Sequence, residues 1–348
     1  MKVAIVFGGA GSERMVSVAS AQHMSTYLPE AELWHWLPDR RVQWVDRARL
    51  LTHPNPFINP LEPDEHRQPL AVDIDDALEQ ARQRHLTLVL ALHGVDGEDG
   101  TLALLCEEAG VAFTGSGSRA SRLAFNKLAT KTAVQACGVP TLPHLVLSDD
   151  GARLDAWGRH WLSECAGVVA KPVSDGSSYG LFMIRSADQW ERFLRQPPEV
   201  PYMIEPLLNG IEATVGVIEH DGLVALEPVE IRLPDATDFD YISKYLNQVE
   251  ERCPSTLPSQ IVKALKSYAI AAHQAVAAEG YSRSDFIVRD AEIIFLEINT
   301  LPGMTQASLL PKELAVANID IRTFLLRQIL LGQIRMARGR FAELATTP

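Results

Sequence analysis

Residues 282–311 read SRSDFIVRDAEIIFLEINTLPGMTQASLLP, and this stretch decides the fold. Two short apolar runs flank a polar Arg-Asp turn, which predicts a β-hairpin whose strands are at least half buried. Asp285 on the first strand is expected to face Glu297 and Asn299 on the second. The last two side chains project to the same face because they are two residues apart. The sequence therefore predicts three oxygen-bearing side chains side by side.

Oxygen ligands of this kind suit magnesium, which proteins bind through one or two carboxylates together with substrate phosphates and waters. Glu297 and Asn299 interrupt an apolar run and lead into a Pro302-Gly303 turn. A polar cluster that is buried there needs partners, and a metal ion provides them. A solvated hairpin face is the alternative, because Asp and Glu are common on exposed strands. The cluster favours phosphate chemistry with a hard cation.

Composition limits the class of protein. A chain of 348 residues suggests two or three domains, and 47% hydrophobic with 22% charged residues is ordinary for a globular protein. The net charge of -12 argues against a nucleic-acid or anionic-membrane partner, since both require a basic surface. A local basic pocket for nucleotide phosphates remains compatible with that charge.

The cysteines and the apolar runs point to a cytoplasmic enzyme. The four cysteines are widely separated and lack zinc-site spacing, so we expect reduced, packed thiols. The amino terminus, MKVAIVFGG, enters a strand directly and does not resemble a signal peptide. No apolar run approaches the ~18 residues of a membrane span.

The first hundred residues are typical of a parallel α/β domain. KVAIVFGG followed by VSVASAQHMSTYL predicts a strand, a glycine turn and a helix, with backbone N–H groups exposed at the helix start. The segment lacks both GxGxxG and Walker spacing, so a simple strand-to-helix turn stays open as an alternative. HLTLVLALHGVDGEDG places His93 at the carboxyl end of a strand, where open α/β sheets bind ligands. A hydrogen-bonded loop histidine is the alternative there.

Two further segments have the character of a nucleotide site. GVVAKPVSDGSSYGLFMI predicts a hairpin with a glycine- and serine-rich tip, which can place N–H groups and hydroxyls over phosphates beside Lys171. An ordinary turn is the alternative. PYMIEPLLNGIEATVGVI predicts a strand that ends at Glu205, with an edge strand bearing surface glutamates as the alternative reading. DATDFDYISKYLNQVEERCPS lacks periodicity and is interpreted as a mobile loop.

Helices are predicted before and after the hairpin of residues 282–311. One covers roughly residues 257–279, and an apolar periodic helix, IDIRTFLLRQILLGQI, is expected to pack as a C-terminal cap. The tail from Arg335 is expected to be frayed. No function is assigned to the Pro-rich stretch within residues 31–84.

Taken in order, the motifs resemble those of the D-alanine-D-alanine ligases, a branch of the ATP-grasp enzymes. FGGAGSERMVSVAS resembles FGGxSxExxVSxxSA, HGVDGEDG resembles HGxxGEDG, and NKLATK resembles DKxxTK. KPVSDGSSYG resembles KPxxxGSSxG, and DFDYISKY resembles YDYxxKY. The opening stretch supplies the Arg-x-Asp, Glu-x-Asn and Thr-x-Pro-Gly-Met-Thr elements. The resemblance covers nearly the whole chain.

The resemblance implies an α/β and α+β architecture. It is an ATP-grasp fold with an N-terminal Rossmann-like parallel-sheet domain, also called the pre-ATP-grasp domain. The implied domains are an N-terminal substrate domain at residues 1–115, a central ATP-grasp subdomain at 116–205 and a C-terminal ATP-grasp subdomain at 206–348.

The implied function is ATP-dependent joining of two D-alanines into D-alanyl-D-alanine through an acyl phosphate, for peptidoglycan precursor synthesis. ATP and two magnesium ions are the implied cofactors, with manganese as a substitute. Small amino acids are the implied substrates, and a homodimer is the implied assembly.

The resemblance also assigns site residues. Catalytic roles fall on Glu13, Ser177, Tyr245, Arg283 and Gly303. Nucleotide binding falls on Lys127, Lys171, Ser178, Glu205, Leu208, Glu212 and Lys244. Substrate binding falls on His93, Glu98, Ser308 and Leu309, and metal binding falls on Asp285, Glu297 and Asn299.

Within this set the implied contacts are specific. Glu13 binds the amino group of the first D-alanine and joins Ser177 and Tyr245 in a hydrogen-bonded gate. Lys127 and Lys171 contact phosphates, and Lys244 approaches the γ-phosphate. Glu205, Leu208 and Glu212 correspond to the adenine, adenine-backbone and ribose contacts. Arg283 and the backbone near Gly303 stabilise an oxyanion, while the N–H groups of Ser308 and Leu309 hold the second carboxylate.

Several residues depart from the family pattern, namely Ala103, Arg119, Phe125, Asn126 and Tyr179. They leave open a paralogous ATP-grasp ligase that joins a different pair of amino or hydroxy acids, for example in secondary metabolism. Tyr245 favours an amine as the second substrate. A nonenzymatic nucleotide-binding protein with the same fold is a third possibility, which the intact Arg283, Asp285, Glu297 and Asn299 set argues against.

Overall fold

The apolar strands near the amino terminus form a parallel sheet covered by helices. The computed structural model describes residues 2–66, 68–174, 180–232 and 250–346 of the chain. The strands of this first sheet are β1 (Val3–Gly8), β2 (Glu32–Trp36), β3 (Val42–Trp44), β4 (Thr87–Leu90) and β5 (Ala112–Phe113). Their order is β3-β2-β1-β4-β5, and only the edge strand β3 runs antiparallel to its neighbour. Every residue of β1 is buried, as expected for a parallel strand with both faces covered.

Six helices accompany or follow this sheet within the described residues. They are α1 (Arg14–Tyr27), α2 (Arg47–Thr52), α3 (Ile74–Arg84), α4 (Thr101–Ala109), α5 (Ser118–Phe125) and α6 (Lys127–Ala136). The side chain of Asn126 caps α6 by accepting a hydrogen bond from the Ala129 N–H. Asn and Asp cap helices about equally well. The departure from the family's Asp at this position therefore preserves the helix start.

A second, antiparallel sheet carries the glycine- and serine-rich hairpin. Its strands are β6 (Leu145–Val146), β7 (Gly167–Pro172), β8 (Phe182–Ile184) and β9 (Tyr202–Leu207), in the order β6-β9-β7-β8, with helices α7 (Gly151–Glu164) and α8 (Ala187–Arg195). The pairing of β7 with β8 confirms the predicted hairpin. Residues 175–179 at its tip lie outside the described residues. The prediction that Glu205 ends its strand is wrong, because β9 continues through Leu207.

The third sheet contains the hairpin predicted from residues 282–311. Its strands are β10 (Ile211–His220), β11 (Gly222–Ala225), β12 (Val229–Arg232), β13 (Glu250–Arg252), β14 (Tyr281–Arg289) and β15 (Glu292–Asn299). The order is β13-β12-β10-β14-β15, and β11 pairs with β10. Helix α9 (Ser259–Ala275) packs on β10, β14 and β15 and contributes Leu265 and Ala269 to their core. The predicted loop at residues 235–255 falls mostly on residues 233–249, outside the described part of the chain.

Two helices close the C-terminal part, α10 (Leu309–Val316) and α11 (Ile321–Thr346). Phe324 and Ile329 of α11 belong to the same hydrophobic core as the first sheet, which confirms the predicted C-terminal cap. The expectation that the tail frays from Arg335 is wrong at that residue. Arg335 donates to the carbonyls of Phe113 and Gly115 and forms an ion pair with Glu279.

The three sheets lie within residues 3–113, 145–207 and 211–299. We propose that they correspond to the three predicted domains, with the second boundary after β9 rather than at residue 205. The four cysteines carry free thiols. Across the described ranges, no helix is both long and apolar enough to cross a membrane.

Candidate active site

The β14–β15 hairpin brings the predicted cluster together. In the register of the two strands Asp285 is opposite Glu297, and Arg283 is opposite Asn299. Arg283 donates to both carboxylate oxygens of Asp285, with Nε to Oδ1 at 2.9 Å and Nη2 to Oδ2 at 2.8 Å. Asn299 Nδ2 donates to the same carboxylate at 3.3 Å. Thr214 on β10, which sequence reasoning missed, donates to Asp285 Oδ1.

The ion pair with Asp285 holds the guanidinium of Arg283 in place at the open end of the hairpin. Burial opposes the charge on Arg283, but the carboxylate of Asp285 outweighs it and raises the pKa of the guanidinium. Bidentate Arg–carboxylate pairs are geometrically specific as well as strong. The pair therefore orients the guanidinium to which the family resemblance assigns oxyanion stabilisation.

The donor set at this hairpin fits magnesium. It consists of the carboxylates of Asp285 and Glu297 and the amide oxygen of Asn299, which match the hard oxygen ligands that the ion prefers. Among the described residues no group of three or more His, Cys, Asp and Glu side chains is arranged to hold a metal. A site for magnesium here needs the amide and substrate oxygens in addition to the two carboxylates.

A small cleft lies beside Glu297 and Asn299. Its walls come from three parts of the chain. They are Glu98 near the first sheet, Phe125 at the end of α5 with Lys127 at the start of α6, and residues 297–300 at the end of β15. Lys127 is 8% exposed, and its Nζ lies 3.5 Å from Glu297 Oε2. The structure thus places the predicted phosphate lysine next to the predicted metal ligands.

The second predicted phosphate lysine belongs to a buried group of three charges. Lys171 Nζ lies 2.8 Å from Glu205 Oε2, and Lys131 Nζ lies 2.5 Å from Glu205 Oε1. Burial opposes ionisation of Glu205, but the two lysines outweigh it and lower the pKa of the carboxyl to about 2. We call Lys131, Lys171 and Glu205 the buried triad. Lys131 was missed in the sequence, although it is the second lysine of NKLATK, four residues after Lys127 on the same helical face.

The other predicted nucleotide residues lie at the junction of the second and third sheets. Leu208 follows β9 directly and is half-buried, and Glu212 is the second residue of β10. This segment connects the two sheets that the predicted ATP site requires. Lys244 and Tyr245, and Ser177 and Ser178, lie outside the described residues.

The predicted first-substrate residues are buried and mutually close. Glu98 Oε2 accepts from the Gly94 N–H at 2.9 Å, and a Cβ on Gly94 would meet Glu13 Oε2 at 2.5 Å. Burial, reinforced by the negative charge of Glu13, raises the pKa of Glu98 to about 8. His93 is equally buried, and burial lowers its pKa to about 4. The site therefore favours a neutral Glu98 and a neutral His93 at pH 7.

The turn after β15 leads into α10. The hydroxyl of Ser308 accepts a hydrogen bond from the Thr305 N–H at 3.0 Å. A Cβ on Gly303 would lie 2.7 Å from that hydroxyl, so a larger residue at this position would require the Ser308 side chain to move. The helix begins at Leu309, which places the predicted N–H groups of Ser308 and Leu309 at a helix N-terminus. Such a position suits a carboxylate.

One buried acid beneath the hairpin was also missed in the sequence. Glu313 of α10 accepts from the Gly216 N–H at 2.6 Å, and Gly216 pairs with Arg283 in the sheet. Burial raises the pKa of Glu313 to about 8, against the opposing effect of Arg283. This contact joins α10 to β10, the strand that pairs with β14 and its Arg283.

Comparison with known proteins identifies the family. A family model described as D-ala D-ala ligase C-terminus matches residues 133–330, and one described as D-ala D-ala ligase N-terminus matches residues 2–116. The chain is 35% identical over 338 residues to a D-alanine–D-alanine ligase of Syntrophobacter fumaroxidans, covering 95% of this chain and 97% of the relative. It is 33% identical over 346 residues to one of Nitratidesulfovibrio vulgaris, covering 97% of this chain and 100% of the relative.

Solved structures give the same result for the fold. The D-alanine-D-alanine ligase from Coxiella burnetii superimposes with a TM-score of 0.78 at 21% identity, covering 99% of this chain and 97% of that one. The enzyme from Bacillus anthracis superimposes with a TM-score of 0.73 at 26% identity, covering 97% of this chain and 99% of that one. The predicted ATP-grasp architecture is confirmed. The chain therefore belongs to the D-alanine-D-alanine ligase family.

Proposed function

We propose that this chain is an ATP-dependent ligase that joins two D-alanine molecules into D-alanyl-D-alanine for peptidoglycan precursor synthesis in the cytoplasm. The observation that carries the proposal is the cleft where Glu98, Lys127 and residues 297–300 meet. It brings predicted substrate, phosphate and metal residues from three parts of the chain to one place. Relatives named D-alanine–D-alanine ligase match nearly the full chain, and they do not favour a paralogue with a different pair of substrates.

In the first step the carboxylate of one D-alanine attacks the γ-phosphorus of ATP, and ADP leaves. Lys127 and Lys171 supply positive charge to the phosphates, and Glu205 holds Lys171 in place. Asp285, Glu297 and Asn299 would hold magnesium, or manganese in its place, which when bound neutralises charge on the phosphate oxygens. Glu13 would receive the amino group of the D-alanine, and the neutral His93 and Glu98 would order the surrounding loop.

In the second step the amine of the other D-alanine attacks the carbonyl carbon of the acyl phosphate. The C–N bond forms, the C–O bond to phosphate breaks, and inorganic phosphate leaves with the proton that the attacking amine loses. Arg283 and the N–H at Gly303 would stabilise the oxyanion of the tetrahedral intermediate. The N–H groups of Ser308 and Leu309 would hold the carboxylate of the incoming D-alanine. Ser177, Ser178, Lys244 and Tyr245 would complete the nucleotide and gate contacts.

Product formation from the purified chain tests the proposal. ADP and dipeptide are measured with ATP, magnesium and D-alanine, with L-alanine and D-lactate as alternative substrates and one sample without any. We expect ADP, phosphate and D-alanyl-D-alanine in equal amounts with D-alanine alone, and activity that is lost with a chelator and restored by magnesium or manganese. No activity with D-alanine together with turnover of another amino acid would indicate a paralogous ligase with different substrates. ATP binding without amino-acid-dependent ADP release would indicate a nonenzymatic nucleotide-binding protein.

We also propose a homodimer, from the family resemblance. Sedimentation should then give twice the 38.3 kDa of the chain. A mass that stays at that of one chain as protein concentration rises would contradict the dimer.

A further inference from the structure

The turn that follows β15 is tied to the first domain by three hydrogen bonds. The Leu301 carbonyl accepts from His93 Nδ1 at 2.9 Å, and the Met304 carbonyl accepts from His23 Nδ1 at 2.7 Å. The Met304 N–H donates to Ser20 Oγ at 3.3 Å. We call the three side chains Ser20, His23 and His93 the clasp. These bonds bracket Gly303, whose N–H the proposed second step uses.

The clasp is internally connected. Because His93 Nδ1 donates to a carbonyl, the Nε2 atom of the neutral ring accepts, and Ser20 Oγ donates to it at 2.9 Å. Burial lowers the pKa of His93 to about 4, so this arrangement persists across the neutral range. One hydroxyl therefore links a ring of the first domain to the backbone of the turn.

His23 is the clasp residue that neither motif nor spacing predicted. It lies three residues after Ser20 on α1, so both side chains are on one face of the helix. The ring of Tyr27 packs edge-on against it, with centroids 5.2 Å apart and planes at 82°. His23 is thus held by a neighbour one helical turn away and is aimed at a single carbonyl.

We propose that His23 is a positioning residue for the second chemical step, because its bond to the Met304 carbonyl restrains the turn that presents the N–H of Gly303. The inference rests on the proposed function. Without the bond, the turn would lose one of its restraints while the phosphate-binding residues stay in place. Acyl phosphate would still form, but attack by the amine would slow. Water attacking the phosphorus does not use that N–H and would then compete, breaking the P–O bond to the acyl oxygen and releasing D-alanine and phosphate.

The test compares His23→Ala, His23→Asn and the wild-type enzyme, all full length. ADP and dipeptide are measured together under D-alanine saturation, and KM for ATP is measured separately. We expect His23→Ala to lower kcat for dipeptide by on the order of tenfold, within the range for a slightly misplaced reacting group, to raise ADP formed per dipeptide above one, and to leave KM for ATP unchanged. His23→Asn should return the ratio of ADP to dipeptide to one, because its amide N–H can take the place of Nδ1.

His53→Ala is the matched control. His53 also donates from its ring to a backbone carbonyl, that of Asn59 at 2.7 Å, but on the exposed surface. It should leave both the rate and the ratio of products unchanged. A thermal unfolding curve of His23→Ala accompanies the kinetics, so that loss of fold is detected directly.

Three outcomes would overturn the inference. They are wild-type coupling and rate in His23→Ala, a lower rate with one ADP still formed per dipeptide, and no recovery in a folded His23→Asn. An absence of dipeptide from the wild-type enzyme would instead defeat the proposed function, and the inference would fall with it.

Discussion

Arg283 lies beside Asp285 and Asn299, two of the proposed metal ligands. Both nitrogens that face Asp285 are used in hydrogen bonds, so the guanidinium is held in one orientation by its own strand. A fixed donor is effective in catalysis because it requires no reorganisation when charge develops. The role proposed for Arg283 therefore depends on Asp285 as well as on its own charge.

Arg283→Ala should lower the rate of dipeptide formation by about a hundredfold or more, the scale of one lost oxyanion donor. The measurement is kcat of the purified variant at saturating ATP and D-alanine. Arg289→Ala is the control, since Arg289 lies at the exposed end of the same strand and should leave kcat unchanged. Near-normal turnover of Arg283→Ala would remove the arginine from the mechanism.

Lys131→Met should raise KM for ATP and lower the free energy of unfolding by about 3 kcal/mol, the low end for a broken buried ion pair. The reason is that Glu205 would keep only Lys171 as a partner, and Lys171 would be drawn further from its phosphate position. Chemical denaturation and ATP titration measure the two effects. Lys266→Met is the control, because the Lys266–Glu227 pair is partly exposed and such pairs contribute about 0–1 kcal/mol. Unchanged KM and stability in Lys131→Met would show that the buried triad has no such role.

At the scale of elements, α9 makes the third sheet sensitive to acid. His273 on this helix lies against β14, where its Nδ1 is 2.7 Å from Ser282 Oγ. Burial, against the opposing effect of Glu219, lowers the pKa of His273 from 6.5 to about 4. The unfolded chain therefore binds a proton at a higher pH than the folded chain does. Stability from this residue is complete above pH 6.5 and declines as the pH falls towards 4.

His273→Gln should flatten this decline. The loss of unfolding free energy between pH 7 and pH 5 should be smaller by about 2 kcal/mol than in the wild type, as linkage requires for a shift of that size. Denaturation curves at a series of pH values provide the measurement. Between pH 7 and pH 8 the two proteins should change in parallel, which serves as the internal control. If both proteins lose the same unfolding free energy down to pH 5, His273 is not the source of the decline.

The same scale shows what the sequence could predict. The hairpin of residues 283–299 was predictable because its apolar runs, its turn and its polar positions all require one register. Helix α10 was not predicted from the sequence. Pro311 occupies the first turn of α10, where a missing N–H costs little. The Lys131–Glu205 pair and the bonds from the clasp to the turn were also unpredictable, since these partners are more than seventy residues apart in the chain and meet only through packing.

At the scale of the whole molecule, the C-terminal helix belongs to the core of the first domain. Phe324 of α11 is 2% exposed and meets Tyr281 edge-to-face, with ring centroids 5.3 Å apart. Tyr281 begins β14, the strand of Arg283 and Asp285. The first sheet, the C-terminal helix and β14 are thereby joined in one apolar cluster.

Phe324→Ala should lower the free energy of unfolding by about 3–5 kcal/mol, the usual cost of removing a buried aromatic ring. Denaturant unfolding followed by fluorescence and circular dichroism measures the change. Leu330→Ala, on the exposed side of the same helix, should change stability by less than about 0.5 kcal/mol. Equal effects of the two substitutions would show that the helix does not serve as a shared core element.

The central claim is that an acyl phosphate joins the two chemical steps. D-alanine labelled with ¹⁸O in its carboxylate tests it directly, because the attacking oxygen becomes the bridge to phosphorus and leaves with phosphate when the amine attacks. Mass spectrometry of the products from the purified chain, ATP and magnesium is the measurement. The proposed mechanism predicts one ¹⁸O in the inorganic phosphate for each dipeptide formed. Dipeptide accompanied by unlabelled phosphate would contradict it.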